Sequence, residues 1–319
     1  MKKSMMIVVL VLFIFALCAA AKEAPELYTA SDGKASGFID ISGNWVIKPQ
    51  YSQVRDFSDG LAAVYLDGKI GYIDTTGALV IKPQFFYTGD FSEGLAAVNT
   101  GGLLGKNEKW GYIDKTGAWV IKPQFKKAGI FCSGLAAAKQ DISYGYIDKK
   151  GAWVIKPRFE DASDFSEELA AVAQLLKWGY IDSKGKMVIK PQFDMASKFS
   201  GGLAAIESKS MWGYIDKTGK VAIKLQYEYV HDFSEGLAAV QSKGMWGYID
   251  KTGAWVIKPQ FGYADDFSGG FAVEGMAGKF WYIDKTGKPV TEPKPNDLSG
   301  ARRSQEWEKK SLALKLKKK

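Results

Sequence analysis

Trp246-Gly-Tyr-Ile-Asp-Lys-Thr-Gly-Ala-Trp-Val-Ile-Lys-Pro-Gln-Phe261 is one copy of a phrase that recurs along the chain, with near copies from Gly37 to Val290. The glycine of its second position falls at Gly37, Gly71, Gly111, Gly145, Gly179, Gly213 and Gly247, a spacing of 34 broken by one step of 40 between Gly71 and Gly111. A self-similar period of this length means a repeat architecture, in which each unit is too small to bury its own faces and must share a core with its neighbours. The six extra residues lie between Asn99 and Lys109. An eighth copy keeps Tyr282-Ile-Asp but puts Trp281 in the glycine slot.

The array starts earlier than the phrase suggests. Leu27 to Asp40 aligns without a gap on Leu61 to Asp74, which gives eight units starting at Leu27, Leu61, Leu95, Leu135, Leu169, Leu203, Leu237 and Phe271. Degenerate first and last units are what the caps of an array look like.

Within a unit, Leu237-Ala-Ala-Val240, Trp246 to Asp250 and Trp255 to Lys258 read as three strands between glycine-bearing turns. This pattern predicts a three-stranded antiparallel meander per unit and an all-β fold. In Asp-Lys-Thr-Gly the aspartate caps the turn and the glycine supplies the positive φ of a G1-type hairpin. Lys-Pro-Gln-Phe is expected to end the third strand, because proline cannot donate to a ladder. Stacked units can close into a propeller-like ring or run on as an open β-superhelix. The small residues of Leu-Ala-Ala-Val, expected innermost, favour the ring.

Charge excludes one class of partner. The net charge of +8 comes from the ends: residues 22–293 hold 32 basic and 32 acidic residues, and nine Lys or Arg follow Pro293. A neutral body with mixed signs gives no specific footprint for nucleic acid. Residues 1–21 carry Lys2 and Lys3, an apolar run from Met5 to Leu17 and then Ala19-Ala-Ala21. That is the pattern of a secretory signal peptide, so the protein is expected to be exported: periplasmic, on the cell surface or secreted. A lipoprotein anchored through Cys18 is the alternative, poorly matched by Leu17 before the cysteine. With Cys18 removed, Cys132 is the single thiol and no internal disulfide can form. A short linker spans 22–26, the array 27–293, and a basic tail 294–319 that is suited to an anionic surface.

The phrase resembles the bacterial WG-repeat family, named for its Trp-Gly step. Trp110-Gly-Tyr-Ile-Asp-Lys-Thr-Gly117 and Val120-Ile-Lys-Pro-Gln-Phe125 carry the resemblance, which runs from Leu27 to Val290. It implies tandem β-repeats, often exported, and brings no catalytic residues with it.

Candidate chemistry is sparse. The aspartates 40, 74, 114, 148, 182, 216, 250 and 284 recur once per unit, as turn caps do and catalytic pairs do not. No spacing suits zinc or calcium, and no cofactor or metal is expected. His231 occupies a slot that elsewhere holds Arg55, Gly89, Gly129, Ser163, Ser197 and Asp265, and reads as an exposed connector. Cys132 stands where other units have serine. Gly101 to Lys106 lacks P-loop spacing, since Asn107 follows the lysine. Trp45, Trp119, Trp153 and Trp255 interchange with aliphatics, the mark of packing positions. Lys48, Lys82, Lys122, Lys156, Lys190, Lys224 and Lys258 would form a column in a stacked array and are the candidate contacts for a polyanion.

The reading that follows is an exported, non-enzymatic binding or scaffold protein for another protein or a cell-envelope polymer. A glycan-acting envelope enzyme, marked by unlike carboxylates such as Glu168 and Glu228, and a self-associating surface protein are the alternatives.

Overall fold

Each unit folds as the spacing of its turns dictates. In the second, Leu61–Leu66 and Lys69–Asp74 pair antiparallel in continuous register, and Asp67 and Gly68, at φ of 51° and 75°, make the two-residue turn between them. Two positive φ values match the twist of a hairpin. Asp74 closes the next turn: its Oδ1 accepts from the Thr76 amide and hydroxyl and from the Ala78 amide, with Gly77 at φ 87°. Leu79–Phe85 then lies outermost.

The computed structural model describes residues 27–40, 43–99, 101, 109–276 and 279–290, and over them contains β-strands without helix. Its eight small antiparallel sheets are arranged in a ring, an eight-bladed β-propeller. Blade 1 covers 28–51, and blades 2 to 8 cover 53–85, 87–125, 127–159, 161–193, 195–227, 229–261 and 263–290.

The three strands expected of each unit are present, and blades 2 to 8 gain a fourth of two residues, such as Gln53–Val54 or Lys127–Ala128. It comes from the connector and pairs with the Leu-Ala-Ala-Val strand, so it, and not that strand, takes the inner edge. Leu-Ala-Ala-Val is second and buried on both faces. Leu61, Ala63, Tyr72 and Ile81 look forward to Phe91, Ala96, Val98 and Ile113 of blade 3, while Ala62 and Val64 look back to Phe38 and Ile47 of blade 1. Seven clusters of this kind fill the seven successive blade interfaces from 1/2 to 7/8. Blades 2 to 7 therefore each own half of two cores.

The glycine of Trp-Gly has a steric origin. Between the pairs Ile113↔Trp119 and Trp110↔Phe125 the middle strand advances three residues and the outer strand six. The three extra residues, around Lys122-Pro123-Gln124, bulge over Gly111, where a Cβ would lie 2.4 Å from the Ile121 carbonyl oxygen and 2.8 Å from the Pro123 nitrogen. The bulge also answers the proline: with no N–H to offer, it sits where the ladder is already broken, and the strand runs on to Phe125 instead of ending at Lys-Pro.

Candidate functional site

Two kinds of position alternate along the connectors. Framework positions repeat. The fully buried Tyr72, Tyr112, Tyr146, Tyr180, Tyr214 and Tyr248 each donate to a carbonyl of the next blade's connector, at 2.6 to 2.9 Å. Ser58, Ser92, Ser166, Ser200 and Ser234 donate to the carbonyl of the next blade's Phe at 2.6 to 2.7 Å. Cys132, the small stand-in for serine, makes no such bond; burial, aided by the charges of Asp164 and Glu93, pushes its thiol pKa up. That is the opposite of what a nucleophile needs.

Of the two positions before the buried Phe, the first does not repeat, while the second is aspartate at Asp56, Asp90, Asp164, Asp232 and Asp266 and differs at Ile130 and Lys198. In three blades the first, read from the sequence as an exposed connector, reaches the aspartate of the following blade. Arg55 Nη1 lies 3.5 Å from Asp90 and donates to the Thr88 carbonyl at 2.9 Å. Ser197 donates to Asp232 at 2.6 Å, and His231 Nδ1 lies 2.9 Å from Asp266. His231 also stacks edge-on against Trp246 and is only about one-third exposed, so it is a seated residue. Burial works to lower its pKa, but the bond and charge of Asp266 raise it on balance.

At Gly129 the same contact is made by absence. A Cβ there would lie 2.3 Å from Asp164 Oδ1, so glycine is what lets the Asp164 carboxylate settle inward. Burial pushes its pKa up to about 6, against the Ile130 amide and the Lys198 charge, which favour the ionised form.

Gly129, Asp164, Ser197 and Asp232 converge on a cavity of about 450 Å³ lined by the inner edges of blades 4 to 7. Its walls include Tyr144 and Trp178, its charged rim Lys127, Lys198, Asp164 and Asp232, and its floor Ala128, Ala162 and Ala196. Because four blades contribute, the cavity faces the axis. Two aromatic faces beside cations, carboxylates and the hydroxyls of Ser163 and Ser197 suit a polar ligand with a flat apolar side. Among the described residues no group of three His, Cys, Asp or Glu side chains stands close enough to share a metal.

The other candidates lie elsewhere. Lys48, Lys82, Lys122, Lys156, Lys190, Lys224 and Lys258 are exposed on seven separate outer strands, and none lines the cavity. The recurring aspartates cap turns, and a Thr hydroxyl bond leads in holding Asp74, Asp114, Asp216, Asp250 and Asp284 below the ordinary carboxylate pKa. Trp119, Trp153 and Trp255 pack edge-on against Phe85, Phe125 and Tyr227. Glu168 sits exposed in a turn, while Glu228 accepts from the Gly244 amide, and nothing pairs the two. The signal-like segment, the basic tail and residues 102–108 of the insertion, which hold most of the Gly101 to Lys106 stretch, lie outside the described residues.

The profile of the WG-containing repeat matches seven times, over residues 37–69, 70–103, 110–141, 144–174, 178–209, 212–246 and 246–273. The chain belongs to the WG-repeat family. Its repeats match no curated protein sequence, but solved structures share the fold. A crystal structure of a eukaryotic initiation factor superposes with TM-score 0.57 at 14% identity, over 84% of each chain. The dihydro-haem d1 dehydrogenase NirN superposes with TM-score 0.53 at 14% identity, over 84% of this WG-repeat chain and 73% of NirN. At such identity the likeness is one of architecture, and a fold of this kind hosts both binding proteins and enzymes.

Proposed function

We propose that this WG-repeat protein is a non-catalytic binding protein, exported by way of residues 1–21, that seats a segment of a protein or cell-envelope polymer in its axial cavity. One observation carries the reading: the framework repeats from blade to blade, while the cavity lining breaks the repeat. Gly129, Ser163 and Ser197 occupy one slot of that lining, and Lys198 stands in the next slot, where Asp164 and Asp232 keep the commoner aspartate. Departures from the repeat gathered round one cavity are what a ligand selects.

Trp178 supplies the test. Envelope-polymer fragments and short peptides are titrated against the protein with tryptophan fluorescence as the readout. A saturable change is expected that is lost in Trp178→Phe and weakened about tenfold in Asp232→Asn. Lys122→Ala, on an outer strand, leaves it intact. Binding that follows Lys122 and ignores Trp178 moves the site to the periphery.

A glycan-cleaving enzyme is the second reading, favoured by a carboxyl held near pKa 6 at Asp164 in the same cavity as Asp232. Turnover of a bound fragment that disappears in Asp164→Asn selects it.

A further inference from the structure

The hairpin joining the Leu-Ala-Ala-Val strand to the Trp-Gly strand turns on two residues in blades 2, 4, 5, 6 and 7. Asp67-Gly68, Lys209-Ser210 and Lys243-Gly244 are polar, as a turn in water requires. Blades 4 and 5 differ. They place Ile142 and Leu175-Leu176 at the tip, exposed by 83%, 84% and 85%, which makes them the three most exposed large apolar side chains among the described residues.

The fold has no use for the two leucines. Leu175 and Leu176 stand at φ of 53° and 59°, the left-handed pair that a type I′ turn demands and that leucine enters at a cost. Asn-Gly is what such a turn prefers. The conformation is gripped from one side: Glu160 accepts from the Leu175 amide with one carboxyl oxygen at 2.8 Å and from the Leu176 amide with the other at 2.9 Å. The result is a rigid apolar prong. Backbone held in a costly region to present side chains to solvent points to a contact made by those side chains.

The two ends of the ring are unlike. At the hairpin end, Tyr87 and Tyr229 each open an inner strand, opposite Asn99 and Gln241, and with the three tip residues they are the five most exposed large apolar side chains. The opposite end carries the Asp-Lys-Thr-Gly turns and is laced by the ion pairs Lys115–Asp59, Lys149–Glu93, Lys217–Glu167 and Lys285–Glu235 at 2.6 to 3.3 Å.

Size and charge select what covers the prongs. At roughly 100 Å² of apolar surface per aliphatic side chain, the three offer about 300 Å². A stable protein interface buries about 800 Å² on each partner, so a second copy or another protein is poorly matched. Nor is the base of the prongs strongly charged: Lys177 pairs with Asp194, and the Lys139 ammonium stands 4.9 Å over the Tyr144 ring. A lipid surface suits this set. Its fluid interior closes round isolated aliphatic side chains, and its head-group level takes tyrosine.

We infer that the hairpin end of blades 4 and 5 docks on a membrane, with Ile142, Leu175 and Leu176 entering the acyl boundary and Tyr87 and Tyr229 nearer the head groups. This does not rest on the axial-cavity reading, since none of the three aliphatic residues lines that cavity.

A fluorophore on the tip tests it. In the full chain with Cys18→Ser and Cys132→Ser, nitrobenzoxadiazole is attached at Ile142→Cys or, as control, at Ser183→Cys in a turn of the opposite end. With vesicles of zwitterionic phosphatidylcholine, a blue-shifted rise in emission is expected at position 142 and not at 183, and it persists in high salt. Adding Leu175→Asn with Leu176→Gly is expected to raise the lipid concentration for half-response about tenfold or more, while Tm rises by about 2–4 °C because Asn-Gly suits the turn. No response at 142, equal responses at both positions, or an unchanged half-response in the double variant overturns the inference. A response that needs anionic lipid and disappears in salt assigns the contact to basic residues and overturns it. A signal without lipid that grows with protein concentration assigns the tips to a second copy and does the same. A fall in Tm would make the leucines structural, against the inference.

Discussion

Blades 2 and 3 meet through the same framework as blades 7 and 8, yet the two interfaces obey different physics. At the first, Tyr72 donates to the Gly89 carbonyl at 2.7 Å and Val98 fills the space beside it. At the second, Tyr248 donates to the Asp265 carbonyl at 2.6 Å, but the valine position is held by Glu274, fully buried, with one carboxyl oxygen against the Tyr248 hydroxyl and the other unpartnered. Burial pushes the Glu274 pKa from its ordinary 4.5 up to about 9. The protonated acid donates to Tyr248, whose own hydrogen goes on to Asp265. Interior blades are held to one pattern because each must fit two neighbours of the same kind. Departures gather in the last blade, where Trp281 and Glu274 both appear.

The largest contrast lies in the bulge. Gly111→Ala is expected to cost about 3 kcal/mol or more, because the new Cβ meets backbone that cannot rotate away. Trp281→Gly, in blade 8, where among the described residues Ile283↔Pro289 and Tyr282↔Val290 pair in step, is expected to stay within about 1 kcal/mol, the cost of the partly buried ring against Phe261. Urea unfolding of the two variants side by side measures the difference, and equal losses erase the distinction between the blades.

Next comes the buried acid. A group whose folded pKa is raised stabilises fully below its unfolded value and loses that contribution as pH rises through the folded one. The protein is therefore expected to weaken from about pH 5 towards pH 9. Glu274→Val should gain about 1–3 kcal/mol at pH 8 and flatten most of that slope, the remainder coming from Asp164 and His231, whose pKa values are also raised. Urea melts at pH 5, 7 and 9 decide. An unchanged slope in the variant removes Glu274 from the account.

The smallest effect tests the serine belt. Cys132→Ser is expected to gain about 0.5–1.5 kcal/mol by restoring the bond to the Phe165 carbonyl that the neighbouring blades make. A loss would show that the site has relaxed around sulfur.

Much of this architecture was legible in the sequence, because a period of 34 with a glycine at each turn leaves few ways to fold. The turn caps, the eight units and the packing role of Trp119 and Trp153 followed from residue types at fixed spacing. The two-residue inner strands did not. Lys127-Ala128, Asp161-Ala162 and Met195-Ala196 share little beyond a small second residue, and a strand held by two backbone pairs needs no side-chain pattern. The proline misled for a related reason: it marks a bulge, where a missing N–H costs nothing. The cavity was hidden by a habit of reading. Variation at the His231 slot looked like indifference, but in a repeat the fold's demands appear as sameness, so the lining of a site can appear only as difference. Glu274 was available by the same logic, as the single acid in a column of Val64, Val98, Ala138, Val172, Ile206 and Val240.

Among the described residues, every outer strand of blades 1 to 7 ends its sheet and turns a row of backbone groups outward without a ladder partner. Such an edge is a template on which a second molecule can add its own strand. Here each edge of blades 1 to 7 carries an exposed lysine, and in all but blade 6, where Leu225 takes the place, a proline directly after it, at a bulge that twists the strand. Charge, a missing donor and a broken pleat are three separate obstacles to edge-to-edge growth. The lysine column that would suit a polyanion also opposes strand addition at these edges, so one set of side chains bears on both contacts.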